Sequence, residues 1–279
     1  MNATTTTTTT PDLAEFDIIL VNTSAGKDSE VMLEHVHRLA VMAGVEDRVV
    51  AVHADLGRVE WPGTRELAGR QVARYGYRFE VVRRTDEADL LTVIERRGMW
   101  PSSSARYCTS DLKRAPIRKL MTALADEHRA KHGHDRPVRI LNCMGLRAAE
   151  SSARAKKVPF EFDKSASTQS TRHVFNWLPI FGLSDQDVWA MIHGEGLEYH
   201  YAYDLPGVSR LSCVMCVLGD NAQLRAGIKA NPELARQYAD AERSMGHLFK
   251  HKTSIAVMVD EILGESVPVT IGRRPLVAA

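Results

Sequence analysis

An apolar run, Phe16-Asp17-Ile18-Ile19-Leu20-Val21-Asn22, passes straight into Thr23-Ser24-Ala25-Gly26-Lys27-Asp28-Ser29, a turn of small residues ending in a lysine, an acid and a serine. The first part has the continuous apolar character of a strand buried on both faces. The second lacks bulk, so the backbone can turn tightly, and the amphipathic run from Asp28 to Met42 predicts a helix behind it. Strand, small-residue turn and helix in that order gather backbone N–H groups and the positive end of a helix around one point, which is an anion site. Ser24 and Ser29 can add hydroxyl donors, and Lys27 a point charge on a phosphate oxygen. The spacing is not G-x-x-x-x-G-K-S/T, because only Gly26 is present and Asp28 follows Lys27. The competing reading, a well-capped helix without a ligand, explains neither the lysine nor the run of small residues. Lys27 is expected to be partly exposed at the helix N-terminus.

Outward from this stretch the same alternation continues. Strands are predicted at Arg48–His53, Arg78–Val82, Arg139–Met144 and Val174–Ile180, and helices at Thr64–Tyr75, Ala88–Arg97, Ala115–His132 and Gln186–His193. Ser184 with Asp187 three residues on forms a capping arrangement at the last of these helices. Strands alternating with helices imply right-handed crossovers and an α/β fold, a parallel sheet flanked by helices. Beyond Gly196 the chain reads as a loop until two helices, Asn221–Ala230 and Pro232–Met245, and from Ile255 onward it has no clear period. The expected organisation is a disordered threonine-rich tail over 1–15, a nucleotide-binding α/β domain over 16–195, and a C-terminal cysteine-bearing helical extension over 196–279.

Composition narrows the class. With 279 residues, 44% hydrophobic and 25% charged, the chain is long enough for a large core. Lys+Arg 36 against Asp+Glu 35 gives a net charge of +1, so overall charge does not point to a nucleic-acid binder. No membrane association is expected, since no apolar run approaches the roughly 18 residues of a span. Met1 to Pro11 has neither a basic nor an apolar segment, so a secretory signal is not expected and the cytoplasm is the expected location. Four cysteines then read as metal ligands, redox groups or core thiols, not as a disulfide framework.

Ser24-Ala25-Gly26-Lys27-Asp28-Ser29 closely resembles the S-G-G-K-D-S signature of the PP-loop ATP pyrophosphatases and the related phosphoadenosine-phosphosulfate (PAPS) reductases, the adenine nucleotide alpha hydrolase-like group, with Ala25 in place of one glycine. His53-Ala54-Asp55-Leu56-Gly57 is similar to the family's second-strand end. Gly145-Leu146-Arg147-Ala148-Ala149-Glu150-Ser151-Ser152-Ala153-Arg154 resembles its G-x-R-x-x-E-S-x-x-R block, and Trp177-Leu178-Pro179-Ile180 with Asp187-Val188-Trp189 its late strand–helix unit. The resemblance spans about Asp17 to Met245. It implies a Rossmann-like fold in which Ser24, Ala25, Gly26, Lys27, Asp28, Ser29, Asp55, Gly145, Arg147 and Arg154 bind ATP, with Lys27, Asp28 and Arg147 acting in catalysis. Asp28 and Asp55 would place Mg²⁺ on the phosphates. PAPS reductases of this group replace Lys-Asp-Ser and carry a nucleophilic cysteine in a C-terminal Glu-Cys-Gly-Ile-His motif. This chain keeps Lys27-Asp28-Ser29 and has no cysteine after Cys216, so cleavage of ATP to AMP and pyrophosphate is expected ahead of PAPS or adenylyl-sulfate reduction.

Cys213-Val214-Met215-Cys216 is a C-x-x-C pair compatible with zinc, an iron–sulfur cluster or a redox dithiol. Cys143 lies inside a predicted strand and reads as a buried core thiol. Cys108 resembles the position of a cluster-binding cysteine upstream of the C-x-x-C in reductase-like relatives. The resemblance thus implies a 4Fe-4S cluster on Cys108, Cys213 and Cys216, with one iron open to a sulfur species as in relatives that thiolate nucleic acids. Zinc is the alternative and would require a fourth ligand such as Cys143 or His200.

The expected function is an ATP pyrophosphatase that adenylates an acceptor for sulfur transfer, the acceptor being DNA phosphate, as in DNA phosphorothioation, tRNA or a small metabolite. A non-catalytic nucleotide- and cluster-binding redox subunit is the alternative from another class. Expected partners are ATP, a sulfur donor such as a cysteine desulfurase, DNA or tRNA or other subunits of a modification complex, and a second copy of the chain as a homodimer. Arg106, Lys113, Arg114 and Arg118 are candidates for phosphate contacts, whereas Lys119, Lys156 and Lys157 read as solvated. His35, His37, His128, His132 and His134 read as surface positions, and Trp100 and Trp189 as packing residues.

Overall fold

The computed structural model describes residues 10–133 and 135–264. The ends of the expected tail and extension, and His134, lie outside these residues. Six strands form one sheet: β1 (Ile18–Thr23), β2 (Val49–Ala54), β3 (Arg78–Val82), β4 (Val138–Met144), β5 (Phe160–Phe162) and β6 (Arg172–Trp177). Their order is β3-β2-β1-β4-β6-β5. The first five in that row run parallel, and β5 pairs antiparallel with β6. The α/β fold is therefore as expected, with one departure: the edge strand is reversed. Phe160-Glu161-Phe162 is too short to show a period, and its alternation is visible only once Phe160 stacks on Phe175.

The helices are α1 (Lys27–Ala43), α2 (Thr64–Ala73), α3 (Leu90–Arg97), α4 (Tyr107–Thr109), α5 (Ala115–His132), α6 (Ser152–Ala155), α7 (Asp185–Gly194), α8 (Asn221–Ala230), α9 (Pro232–Met245) and α10 (Ile255–Leu263). α1 stops at Gly44, whose left-handed backbone (φ 64°) lets its N–H donate to the carbonyls of Ala40 and Val41. α7 begins with the expected box: Ser184 accepts from the Asp187 N–H and Asp187 accepts from the Ser184 N–H. Residues 101–106 are irregular, and helix then begins before Ala115: α4 runs into a π-helical turn, Ser110–Arg114, and then into α5. The weakly periodic stretch from Ile255 is a helix because its apolar face packs on α9 and α8. No helix among the described residues is long and apolar enough to cross a membrane.

Both sheet faces are covered. Ile19, Val21, Leu141 and Cys143 pack with α1 and α7 on one side, and Ile18, Leu20, Val52 and Ile140 with α5 on the other. This two-sided burial is why β1 reads as an unbroken apolar run. A polar ladder crosses the middle of the sheet: the side-chain amides run from Asn22 to Asn142 (2.7 Å) to Asn176 (2.8 Å) and end on the Asp163 carboxylate (3.1 Å). A further core lies beside the sheet. It unites Trp61, Leu91, Ile94 and Trp100 with Val214, Met215, Leu224, Tyr238 and Phe249. Through this core the C-x-x-C loop is fastened to the segment after β2, where the Val214 N–H donates to the Val59 carbonyl at 2.9 Å.

Candidate functional site

The strand order reverses between β1 and β4, because the chain leaves β1 toward β2 on one side and returns to β4 on the other. Beyond the carboxyl ends of two such strands a crevice opens, and in open α/β sheets ligands bind there. The Thr23–Ser29 turn leaves β1 at this point, and the Gly145–Arg154 segment leaves β4 beside it. Their approach is close: a Cβ on Gly145 would stand 3.0 Å from the Asp28 carbonyl oxygen and 3.2 Å from Ser29 Cα. Only glycine lets the two segments meet at this distance.

Within the turn, Ala25 adopts φ 57° and is fully buried. This left-handed conformation accounts for the glycine that the resembling signature carries there, and the alanine holds it at a steric cost of about 1 kcal/mol. Ser29 Oγ donates to the Gly26 carbonyl at 2.8 Å and accepts from the Ser24 N–H at 3.2 Å, so the hydroxyl holds the loop closed. Gly26 is extended and opens α1, with Asp28 and Glu30 in the first turn.

Lys27, expected to be partly exposed, is only 1% exposed. It folds back from the helix N-terminus over Tyr203 and Trp189, its Nζ 5.5 Å and 5.8 Å from their ring centres. Two carboxylates neutralise it: Asp185 Oδ1 at 2.9 Å and Asp28 Oδ2 at 3.7 Å. Arg147 is also buried and shares both partners, donating from Nε to Asp28 Oδ1 at 2.5 Å and from Nη2 to Asp185 Oδ1 at 2.9 Å. Burial works against the Arg147 charge, but Asp28, Asp185 and Glu150 outweigh it and raise its pKa. Burial likewise disfavours the Asp185 anion, and Lys27 and Arg147 outweigh that to hold its pKa below the usual carboxylate value. The four side chains form a closed, neutral network at the mouth of the turn.

The other expected site residues divide. Arg154 pairs with Glu150, which also accepts from the Arg147 N–H at 2.9 Å, so Arg154 braces the Arg147 segment. Asp55 stands apart from the network. It accepts from Arg83 at 2.9 and 2.5 Å and from the Gly57 N–H at 2.7 Å, and these contacts keep its pKa low against the effect of burial. Asp185, Tyr203 and Arg83 were not singled out from the sequence. Asp185 reads there as an ordinary first-turn acid of a capped helix, and no local pattern marks it as facing Lys27.

Cys108 and Cys213 pack against the same core, and the nearby thiols of Cys216 and Cys108 act on Cys213, whose pKa is raised first by burial and lowered by Lys113. No set of three or more His, Cys, Asp or Glu side chains among the described residues is arranged around a single metal ion. Cys143 belongs to the core on the sheet face under α1 and is fully buried, as expected of a strand thiol. His200 is a packing residue, its Nδ1 accepting from the Ala202 N–H at 3.1 Å. Trp100 and Trp189 are packed as expected. His35 and His37, expected at the surface, are half-buried; His37 hydrogen-bonds the Tyr77 hydroxyl at 2.7 Å.

One buried acid at the site has no partner. Glu30, next to Ser29, is 1% exposed, and neither carboxylate oxygen has a hydrogen bond among the described residues. Burial pushes its pKa up to about 8; Arg74 lowers it, while Glu34 and Glu198 add to the rise.

A protein of Escherichia phage 186, an uncharacterized 37.8 kDa protein in the gpa 5′ region, is 26% identical over 270 residues, covering 82% of this chain and 76% of its own. Among solved structures, PAPS reductase from Candida auris in a phosphate complex is similar at 17% identity and a TM-score of 0.45, over 70% of this chain and 78% of that one. The U34-tRNA thiolase NcsA from Methanococcus maripaludis, solved with its 4Fe-4S cluster, is similar at 13% identity and a TM-score of 0.45, over 93% and 76%. Residues 18–218 match the phosphoadenosine phosphosulfate reductase domain, a stretch that runs from β1 through the switch-point crevice to both cysteines of the C-x-x-C loop, and the chain belongs to that family.

Proposed function

We propose that this chain is an ATP pyrophosphatase that activates an acceptor for sulfur transfer. The observation that carries the reading is the pair of buried cations, Lys27 and Arg147, held at the N-terminus of α1 beside a turn of small residues. That arrangement suits a chain of phosphates better than a single neutral group. An acceptor oxygen attacks the α-phosphorus of ATP, the bond from that phosphorus to the bridging oxygen breaks, and pyrophosphate leaves with the electron pair. Lys27, Arg147 and the amides of the turn stabilise the charge that develops on the leaving phosphates. Sulfide then displaces AMP from the activated acceptor.

Two inorganic groups belong to this reading. Asp28 would offer Mg²⁺ its Oδ2 at the mouth, since Oδ1 is held by Arg147, and the ion would neutralise phosphate charge there. Asp55 fits less well, since Arg83 and the Gly57 N–H already take its oxygens. Cys108, Cys213 and Cys216 are the thiols that would hold the inorganic group in this reading; a 4Fe-4S cluster on three cysteines would supply an open iron for sulfide, whereas zinc would need a fourth ligand. DNA or tRNA as acceptor, a cysteine desulfurase as donor, a homodimer, a cytoplasmic location and the division into tail, 16–195 domain and extension are parts of the same proposal.

The family itself favours a second reading, reduction of an adenylyl-sulfate by the C-x-x-C thiols. One experiment separates the two. Anaerobically purified protein is incubated with ATP and, separately, with adenylyl-sulfates, and the products are identified. AMP with pyrophosphate supports the first reading; sulfite release without pyrophosphate from ATP replaces it with the second.

A further inference from the structure

The anion site carries its own competitor. Lys27 Nζ and Arg147 Nη2 both lie 2.9 Å from a single atom, Oδ1 of Asp185. One oxygen receiving two charge-assisted hydrogen bonds at this distance has the surroundings of a phosphate oxygen. The Tyr203 hydroxyl does the same for the backbone, accepting from the Lys27 N–H at 3.2 Å and from the Leu211 N–H at 3.2 Å. Two donor groups that would face a bound anion are therefore taken by acceptors of the chain itself.

We infer that Asp185 is a built-in phosphate mimic that competes with an anionic ligand for Lys27 and Arg147. This rests on the reading of the Thr23–Ser29 turn as a polyphosphate site. The asymmetry of the network supports it. The two cations are 1% and 4% exposed, whereas the Asp185 side chain is 61% exposed and stands on the first residue of α7. Asp185 can turn into water without disturbing the core, while Lys27 and Arg147 cannot leave. Asp28 and Asp185 together cancel Lys27 and Arg147, so a phosphate group that reaches the two cations must take them from Asp185. Asp185 thus lowers the affinity of every anion that displaces it by one common factor.

The test is calorimetric titration of the full chain with pyrophosphate and with AMP, without divalent cations, for the wild type, Asp185→Ala, Asp185→Asn and Lys27→Ala. Asp185→Ala should bind pyrophosphate roughly tenfold tighter, as when a competing closed state occupied about nine-tenths of the time is removed. AMP should gain tenfold at most, because removing a competing closed state cannot raise any ligand's affinity by more than the same factor. Asp185→Asn should move both affinities in the same direction. A residue that merely supports the fold would give the opposite sign on removal. Unchanged or weaker pyrophosphate binding in both Asp185 variants overturns the inference while leaving the site itself standing. Pyrophosphate binding that is equal in the wild type and Lys27→Ala overturns the site, and the inference with it.

Discussion

Arg147 Nε donates to Asp28 Oδ1 at 2.5 Å, joining the segment after β4 to the first turn of the helix after β1. The bond crosses the switch-point crevice. It aligns a buried guanidinium with the buried ammonium of Lys27, and so converts two separate sequence blocks into one site.

Lys27→Ala is expected to lower pyrophosphate release from ATP by at least about 100-fold, since the nearest remaining cation, Arg147, is already held by Asp28. It should also cost stability. Lys27 is buried, and its loss leaves a gap against Tyr203 and Trp189, worth about 1–3 kcal/mol. Product analysis and denaturant unfolding measure the two effects separately; wild-type turnover in a folded variant would remove Lys27 from the chemistry.

Gly145→Ala tests the contact between the two segments. The added methyl would press on the backbone at Asp28 and Ser29, not on a flexible side chain. Overpacking of this kind costs about 1–3 kcal/mol and should weaken nucleotide binding together with stability. A variant with an unchanged melting temperature and unchanged affinity would show that the approach is looser than the structure has it.

Glu30 should make stability pH-dependent. Its folded pKa, about 8, is raised above the ordinary 4.5. The folded state therefore binds more protons than the unfolded state between those values, and stability falls as pH rises through that window. The contribution is whole below about 4.5 and is lost as pH passes about 8; at roughly 1.4 kcal/mol per pKa unit it amounts to a few kcal/mol. Glu30→Gln should flatten the melting temperature between pH 5 and 8, on the order of that window. An equal slope in the wild type and the variant would refute the assignment.

The cysteines divide by position. Cys108→Ser, Cys213→Ser and Cys216→Ser should each lose iron and acid-labile sulfide from anaerobically purified protein. Cys143→Ser should keep them and lose about 1–3 kcal/mol by placing a hydroxyl in an apolar core. Iron loss in folded Cys143→Ser, or stoichiometric zinc in the wild type, would count against the three-cysteine cluster.

The sequence by itself determined the five parallel strands and most of the helices. Arg78–Val82, Ala115–His132, Asn221–Ala230 and Pro232–Met245 are elements as read, because apolar periodicity and caps act over a few residues and are written locally. The turn at Ser24–Ser29 was legible for the same reason: small residues between a strand and a helix constrain the backbone whatever surrounds them. Only the tertiary structure decided the rest. It buried Lys27, reversed β5, ordered Ile255–Leu263 against α9, tied Asp55 to Arg83, and brought Asp185 from the start of α7 to an oxygen shared by Lys27 and Arg147. Each of these depends on contacts between residues far apart in the chain. Such a contact leaves no period in the sequence, because the energy that selects it arises only when the sheet has set the two partners side by side.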